Sequence, residues 1–94
     1  MDYQTLGEYH AFMKQAKDAA DKRFAVLYNL STLMRSLAED PSKSMDISAV
    51  TSTVTSAIEE ARKAEFEMIA AMGCANEAAK LCGEKEITAS GFKR

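Results

Sequence analysis

Few side chains in this sequence are of the types that catalyse reactions or bind metals. The single histidine, His10, has no cysteine or second histidine close to it in the sequence, whereas a zinc site takes several such ligands. Cys74 and Cys82 are not in a CxxC arrangement, and on one continuous helix their Cα atoms would lie ~12 Å apart, too far for a disulfide. We expect His10 to be a partly exposed helix residue and both cysteines to be free, buried thiols.

The densest group of charged residues lies between positions 59 and 67. Its members alternate in sign: Glu59, Glu60, Arg62, Lys63, Glu65 and Glu67. This pattern is typical of a solvated helix face with ion pairs, not of a shared metal or acid–base site. The sequence contains no inward Glu-x-x-His pair, glycine-rich phosphate loop, GxSxG elbow or HExxH pair. We therefore predict a protein without enzymatic activity, cofactor or metal.

A cluster of basic residues in the first half of the chain is a candidate nucleic-acid site. Its members are Lys14, Lys17, Lys22 and Arg23, and they are interleaved with Asp18 and Asp21. Over the whole chain, 12 Lys and Arg stand against 14 Asp and Glu, a formal net charge of -2. This balance disfavours binding by phosphate neutralisation. A nucleic-acid-binding helical hairpin stays open as a minor alternative, and steep salt dependence of its affinity would be the signature.

Several large apolar residues stand away from the main apolar stripe and could bind a protein partner. Phe66 and Ile69 are three residues apart and share one face of a helix. Glycine inside a helix costs about 1 kcal/mol relative to alanine, which suggests that Gly73 lets a partner backbone approach closely. The predicted partner-binding residues are Tyr28, Arg62, Phe66, Ile69 and Gly73.

A different explanation for these apolar residues is also open. A second copy of the chain, or the C-terminal segment of the same chain, would cover them. Ile87 and Phe92 are the residues of that segment that we expect could do so.

Long helices must position these side chains, because the chain has 16 Ala but only 4 Gly and 1 Pro. Pro41 marks the single strong break. We predict an all-α, antiparallel two-helix hairpin over residues 1–83, with a helix over about 5–39, a turn at 40–45 and a helix over about 46–82. Residues 84–94 are predicted to form a loosely ordered tail.

The ends of the predicted helices carry capping signals. Thr5 and Glu8 fit a capping box, Asp46 is placed to cap the second helix, and Gly83 is placed for a left-handed C-cap. The segment from Ser48 to Ser56 is rich in Thr, Val and Ser, which favour strands, yet the heptad repeat passes through it unbroken. We therefore predict that it is helical.

Apolar residues recur along both helices with heptad spacing, and alanine occupies every seventh position from Ala57 to Ala78. Such small side chains allow close helix packing. The stripe is three positions wide, so a single hairpin would leave part of it uncovered, and we expect a homodimer that forms a four-helix bundle. The residues predicted for the hairpin or dimer core are Met13, Leu27, Leu30, Met34, Val54, Ala57, Ala64, Met68, Ala71 and Ala78.

The general plan of residues 1–83, a small acidic helical hairpin without a catalytic motif, resembles small accessory proteins from the early regions of lambdoid phages. Proteins of this group modulate the host RecBCD recombination nuclease or other host enzymes. The resemblance rests on the layout and transfers no functional residue. It implies a protein that acts by occupying the surface of a partner.

The leading functional prediction is a non-enzymatic protein that binds and modulates a protein partner, such as a host nuclease or defence enzyme. The alternative is a structural or assembly subunit that forms helical oligomers, in which the same apolar residues contact further copies. No apolar stretch approaches the roughly 20 residues of a membrane span, and the N-terminus lacks the layout of a signal peptide. We therefore expect a cytoplasmic protein with no membrane contact.

Overall fold

A computed structural model describes residues 3–94 of the chain. It contains the helices α1 (Tyr3–Glu39) and α2 (Ile47–Cys82) and a short 3-10 helix (Ala89–Phe92). The long helices pack side by side as an antiparallel hairpin with overall dimensions of 62 × 21 × 15 Å. The predicted all-α hairpin is therefore confirmed, and the segment from Ser48 to Ser56 is helical as expected. Among residues 3–94, no helix has the length and apolar character that crossing a membrane requires.

Two of the three predicted helix caps are present. The side chain of Asp46 accepts a hydrogen bond from the backbone N–H of Ala49 at 3.2 Å. Gly83 adopts a left-handed conformation (φ 77°), and its N–H donates to the carbonyl of Ala79. The predicted capping box at Thr5 is wrong, because α1 already includes Tyr3 and therefore places Thr5, a buried residue, inside the helix.

A network of hydrogen bonds around Asp40 shapes the turn between the helices. Its carboxylate accepts from the backbone N–H of Ser42 at 3.0 Å and from the Ser42 hydroxyl at 2.5 Å. These bonds favour the charged form and lower the pKa of Asp40 below its ordinary value. Lys43 also donates to the hydroxyl of Ser36, which ties the turn to the last turns of α1.

Burial is uneven along the hairpin. We name residues 3–20 and 61–82 the terminal half and residues 21–60 the turn half. The buried residues all belong to the terminal half: Thr5, Tyr9, Ala16, Ala19, Ala61, Ala64, Met68, Ala71, Ala75, Ala78 and Ala79. Most are alanines, and such small side chains allow the two helix backbones to approach closely. No residue of the turn half is buried.

The predicted core residues are divided between these halves. Ala64, Met68, Ala71 and Ala78 are buried, as a hairpin core requires. The others are less covered: Met13, Leu27, Leu30, Val54 and Ala57 are half-buried and Met34 is exposed. A role for this second group in a dimer core stays a prediction.

The C-terminal tail, residues 84–94, explains why buried residues occur only in the terminal half. Residues 84–94, which were expected to be loosely held, lie mainly against the terminal half. The side chain of Asn76 accepts from the N–H of Ile87 at 2.7 Å and donates to the carbonyl of Ile87 at 3.0 Å. The Tyr9 hydroxyl donates to the carbonyl of Lys85 at 3.0 Å. Ile87 packs against both buried clusters. The tail therefore covers the contact between α1 and α2 as a third packed segment, which we name the third wall.

The end of the tail is held by aromatic and charged contacts with α1. The Arg94 guanidinium lies 4.2 Å from the centre of the Phe24 ring and donates to the carboxylate of Asp21 at 2.5 Å. Phe92 packs against the buried cluster that contains Ala16 and Met68. These contacts join residues far apart in the sequence, which is why local sequence patterns did not reveal them.

Candidate interaction surfaces

Within residues 3–94, the histidine, cysteine and acidic side chains are not grouped as a metal site would require. His10 is exposed and makes an edge-to-face contact with the ring of Tyr9, at 5.2 Å between centroids and 64° between planes. Cys82 is half-buried, but Cys74 is exposed, so the prediction of two buried thiols is wrong. Cys74 directly precedes the fully buried Ala75, and this one-residue offset turns it away from the core.

An exposed apolar patch lies along one side of α2 and adjoins α1, because Ile69 and Gly73 line a groove with Phe12. We name it the outer patch and define it by Arg62, Phe66, Ile69 and Gly73. Phe66 is 59% exposed and Ile69 is 54% exposed. The Arg62 guanidinium lies 5.7 Å from the centre of the Phe66 ring, close enough for a cation–π contact. The patch therefore combines two large apolar side chains with a positively charged margin.

Gly73 extends this patch along α2 with an open backbone. No atom lies within 4 Å of the position that a Cβ would occupy at Gly73, apart from its own helix backbone and its chain neighbours. The packing of this chain therefore does not require glycine at position 73. A close approach by a partner backbone remains the prediction that explains it.

The tail does not cover the outer patch. Ile87 packs beside Met72 and Asn76, and Phe92 packs near Met68 and Phe24. The explanation in which Ile87 and Phe92 shield Phe66 and Ile69 is therefore wrong. That a second copy of the chain covers Phe66 and Ile69 stays a prediction.

Tyr28 belongs to a different surface from the outer patch. Its ring stacks on Phe24, at 5.6 Å between centroids and 22° between planes. Both rings line an open groove of about 680 Å³, together with Leu27, Phe92 and Arg94. The structure therefore does not bring Tyr28 together with Phe66 and Ile69.

The apolar surface beside Tyr28 continues towards the turn. A second groove, of about 270 Å³, shares Leu27 with the first and is also lined by Ile58 and Arg62. Met34 lies seven residues after Leu27 and Ile47 lies eleven residues before Ile58, so both fall on the same side of their helices. We name this surface the turn-half strip: Phe24, Leu27, Tyr28, Met34, Ile47 and Ile58.

Most of the turn-half strip was not predicted from the sequence as a surface. Ile58 is 52% exposed and Ile47 is 82% exposed. Both lie beside or within the heptad stripe, where apolar residues are normally interpreted as core. The available signal was the width of the stripe, which exceeds what one facing helix can cover.

The basic cluster of α1 is partly neutralised within the chain. Lys14 forms an ion pair with Asp18 at 3.1 Å, and Asp21 is paired with Arg94. The cluster therefore presents less positive charge than its four basic residues alone would give.

Comparisons with known proteins add no family to this description. No protein-family model, curated protein or solved structure matches the chain.

Proposed function

We propose that this chain is a non-enzymatic protein that binds another protein through the outer patch and modulates its activity. The observation that carries the proposal is the exposure of Phe66 and Ile69 on a face of α2 that the tail does not cover. Large apolar side chains with a charged margin are typical of the centres of protein interfaces. Arg62 supplies that margin and is already held against the Phe66 ring.

The proposal extends to a class of partner and to the state of the chain. The resemblance to phage accessory proteins favours a host nuclease or defence enzyme as the target, and a cytoplasmic location. The homodimer expected from the sequence is also part of the proposal, because the turn half has no buried residue. In this account a dimer presents two outer patches.

Affinity capture from a bacterial lysate tests the outer patch directly. The wild-type chain is compared with the double variant Phe66→Glu, Ile69→Glu. Met45→Glu is the matched control, because Met45 is also an exposed apolar residue but lies in the turn, away from the patch. We expect one specific protein to be retained by the wild type and the control and lost by the double variant. Equal retention by all three proteins would contradict the proposal.

A structural or assembly subunit is the second candidate function. The observation that favours it is that one chain exposes two apolar regions, the outer patch and the turn-half strip, which adjoin at Arg62 and together extend along most of α2. Two unlike surfaces on one subunit can form open, head-to-tail assemblies. Light scattering distinguishes the candidates: a modulator stops at a closed dimer, whereas an assembly subunit forms larger species as concentration rises.

A nucleic-acid-binding hairpin is a minor third candidate. It depends on Lys17, Lys22 and Arg23, because Lys14 is paired with Asp18. Binding of this kind would weaken steeply with added salt. A fluorescence titration with labelled single-stranded RNA and double-stranded DNA at two salt concentrations would identify it.

A further inference from the structure

The turn-half strip continues the surface on which the tail packs. Leu27 lines both the groove that contains Phe92 and the groove that contains Ile58. Arg94 lies beside Phe24, and no part of residues 3–94 covers the strip beyond that point. Within the described residues, the terminal half therefore has a third wall, whereas the same face of the turn half has none.

The strip is large enough to form the centre of a protein interface. From Phe24 to the turn at Pro41 it extends ~25 Å along α1, at about 1.5 Å per residue. The hairpin is 21 Å across in its wider section, so the face that carries the strip measures about 500 Å². This area is comparable to the largest apolar patches of monomeric proteins, about 300–600 Å², which are often functional. It is smaller than the roughly 800 Å² per partner of a standard interface, so polar residues beside the strip would complete the contact.

The two ends of the strip carry opposite charge. Basic side chains predominate at the end beside the tail, where Arg23, Arg62 and Lys93 stand against Glu65 and where Arg94 is already paired with Asp21. Acidic side chains predominate at the turn, where Glu39, Asp40 and Asp46 stand against Arg35 and Lys43. Within residues 3–94, no carboxylate forms an ion pair with Arg23, Arg62 or Lys93. The basic end therefore has charge available for an external partner.

A surface with one basic and one acidic end is complementary to a copy of itself only in the antiparallel orientation. In that orientation the basic end of each chain meets the acidic turn of the other, and the contact is repeated by the two-fold axis. In the parallel orientation the two basic ends would face each other. The charge distribution therefore favours a second copy of the chain as the occupant of the strip, bound in the antiparallel orientation.

We propose that the turn-half strip binds a second copy of this chain in the antiparallel orientation. The two turn halves then form a four-helix bundle at the centre of an elongated dimer, and each terminal half remains sealed by its own tail. The turn of each copy lies beside Phe24 and the tail end of the other. This inference rests on the homodimer of the proposed function and is independent of partner binding by the outer patch.

Sedimentation equilibrium of the full chain tests the surface. Ile58→Glu places a negative charge at the basic end of the strip, where the acidic turn of the other copy would face it, and is expected to raise the dimer dissociation constant at least about tenfold. Leu81→Glu is the matched control, because Leu81 is also an exposed apolar residue of α2 but lies in the terminal half, ~35 Å along the helix from Ile58. This control should dimerise like the wild type, and circular dichroism should show that both variants keep their helicity.

Reversing the charges at the two ends of the strip tests the antiparallel orientation. Arg23→Glu alone and Glu39→Lys alone should each weaken the dimer, because each opposes charges across the antiparallel contact. The double variant should recover most of the affinity, since it reverses both ends together. Lys22→Glu, with the same change of charge at a neighbouring position that lines a different groove of the hairpin, should have little effect.

The outcomes separate this inference from the proposed dimer. A wild-type chain that stays monomeric up to about 100 µM overturns both. A wild-type dimer that Ile58→Glu leaves unchanged overturns the inference alone and places the interface elsewhere. A dimer that Ile58→Glu weakens but that shows no recovery when both charges are reversed overturns the antiparallel arrangement. An apolar partner protein as the natural occupant would appear as a monomeric wild type that binds that partner through the strip.

Discussion

The two halves of this hairpin have the same helices and nearly the same heptad pattern, but they are packed differently. In the terminal half, alanines bring the helices together and the tail adds a third wall, so that Ala16, Ala64 and Ala75 are fully buried. In the turn half, larger residues such as Leu27 and Leu30 occupy the stripe and none becomes buried.

The difference shows that the size of the apolar residues does not decide how well a helix pair is sealed. Leucines bury more area than alanines only if another element covers them. Eleven residues of tail supply that cover for the terminal half. The apolar residues of the turn half also need a covering element, and we propose that a second copy of the chain supplies it.

The largest expected effect on the free energy of unfolding comes from placing a larger side chain in the tightly packed terminal half. Ala75→Leu adds three carbons where no free surface remains, and overpacking of this kind costs about 1–3 kcal/mol, occasionally more. Ala57→Leu makes the same change in the turn half, at a half-buried position that lines an open groove with Leu30 and Leu33. We expect it to change the free energy of unfolding by less than about 0.5 kcal/mol. Urea unfolding at one fixed protein concentration measures both. Equal costs would show that the two halves are packed alike.

A smaller effect should follow from loosening the tail. Asn76→Ala removes both hydrogen bonds to the backbone of Ile87 and leaves those part-buried groups to hydrogen-bond with water, at a cost of about 1–2 kcal/mol. Amide exchange in residues 84–94 should accelerate, and the terminal half should lose protection with it. Glu77→Ala is the control, because Glu77 makes only an exposed ion pair with Lys80. A tail that exchanges at the wild-type rate in Asn76→Ala would show that this side chain does not hold it.

The sequence predicted the features of the fold that depend on neighbouring residues. Asp46 and Gly83 were identified because capping needs particular residue types at particular positions. The strand-favouring segment after Ile47 was correctly predicted as helical, since the heptad repeat outweighs local propensity. Thr5 was misinterpreted because a capping pattern inside a helix looks the same as one at its start.

The features that depend on distant contacts were not predictable in this way. Asn76 appears in the sequence as a polar residue at the edge of the stripe, and only the folded tail reveals that it binds Ile87. For the same reason the sequence did not show that Ile58 would be exposed while Ala61 is buried. The exposure of Phe66 and Ile69 agrees with their position off the stripe, and their partner stays a prediction.

Gly73→Ala should separate stability from binding. The position has open space around it, so alanine is expected to stabilise α2 by up to about 1 kcal/mol. If a partner backbone approaches there, the same variant should bind that partner more weakly. Thermal unfolding and affinity capture measure the two effects. A more stable variant that retains the partner fully would remove Gly73 from the proposed interface.

The smallest expected effect concerns the turn. The hydrogen bonds from Ser42 lower the pKa of Asp40, so the folded state favours its charged form. Their contribution is therefore complete above the ordinary pKa of an aspartate and is lost as the pH falls through the lowered value. Asp40→Ala should lower the Tm slightly at about pH 6, and the difference from wild type should shrink towards about pH 2. A difference that is constant with pH would contradict this role of the charge.

Hydrogen–deuterium exchange of the wild-type chain at two protein concentrations tests the central claim most directly. If a second copy seals the turn half, protection of residues 21–60 should rise as the concentration increases from about 1 to about 100 µM, following the dimer population. The terminal half, which is sealed by its own tail, should change much less. Protection of the turn half that equals that of the terminal half at the lower concentration, and does not change at the higher one, would contradict the account.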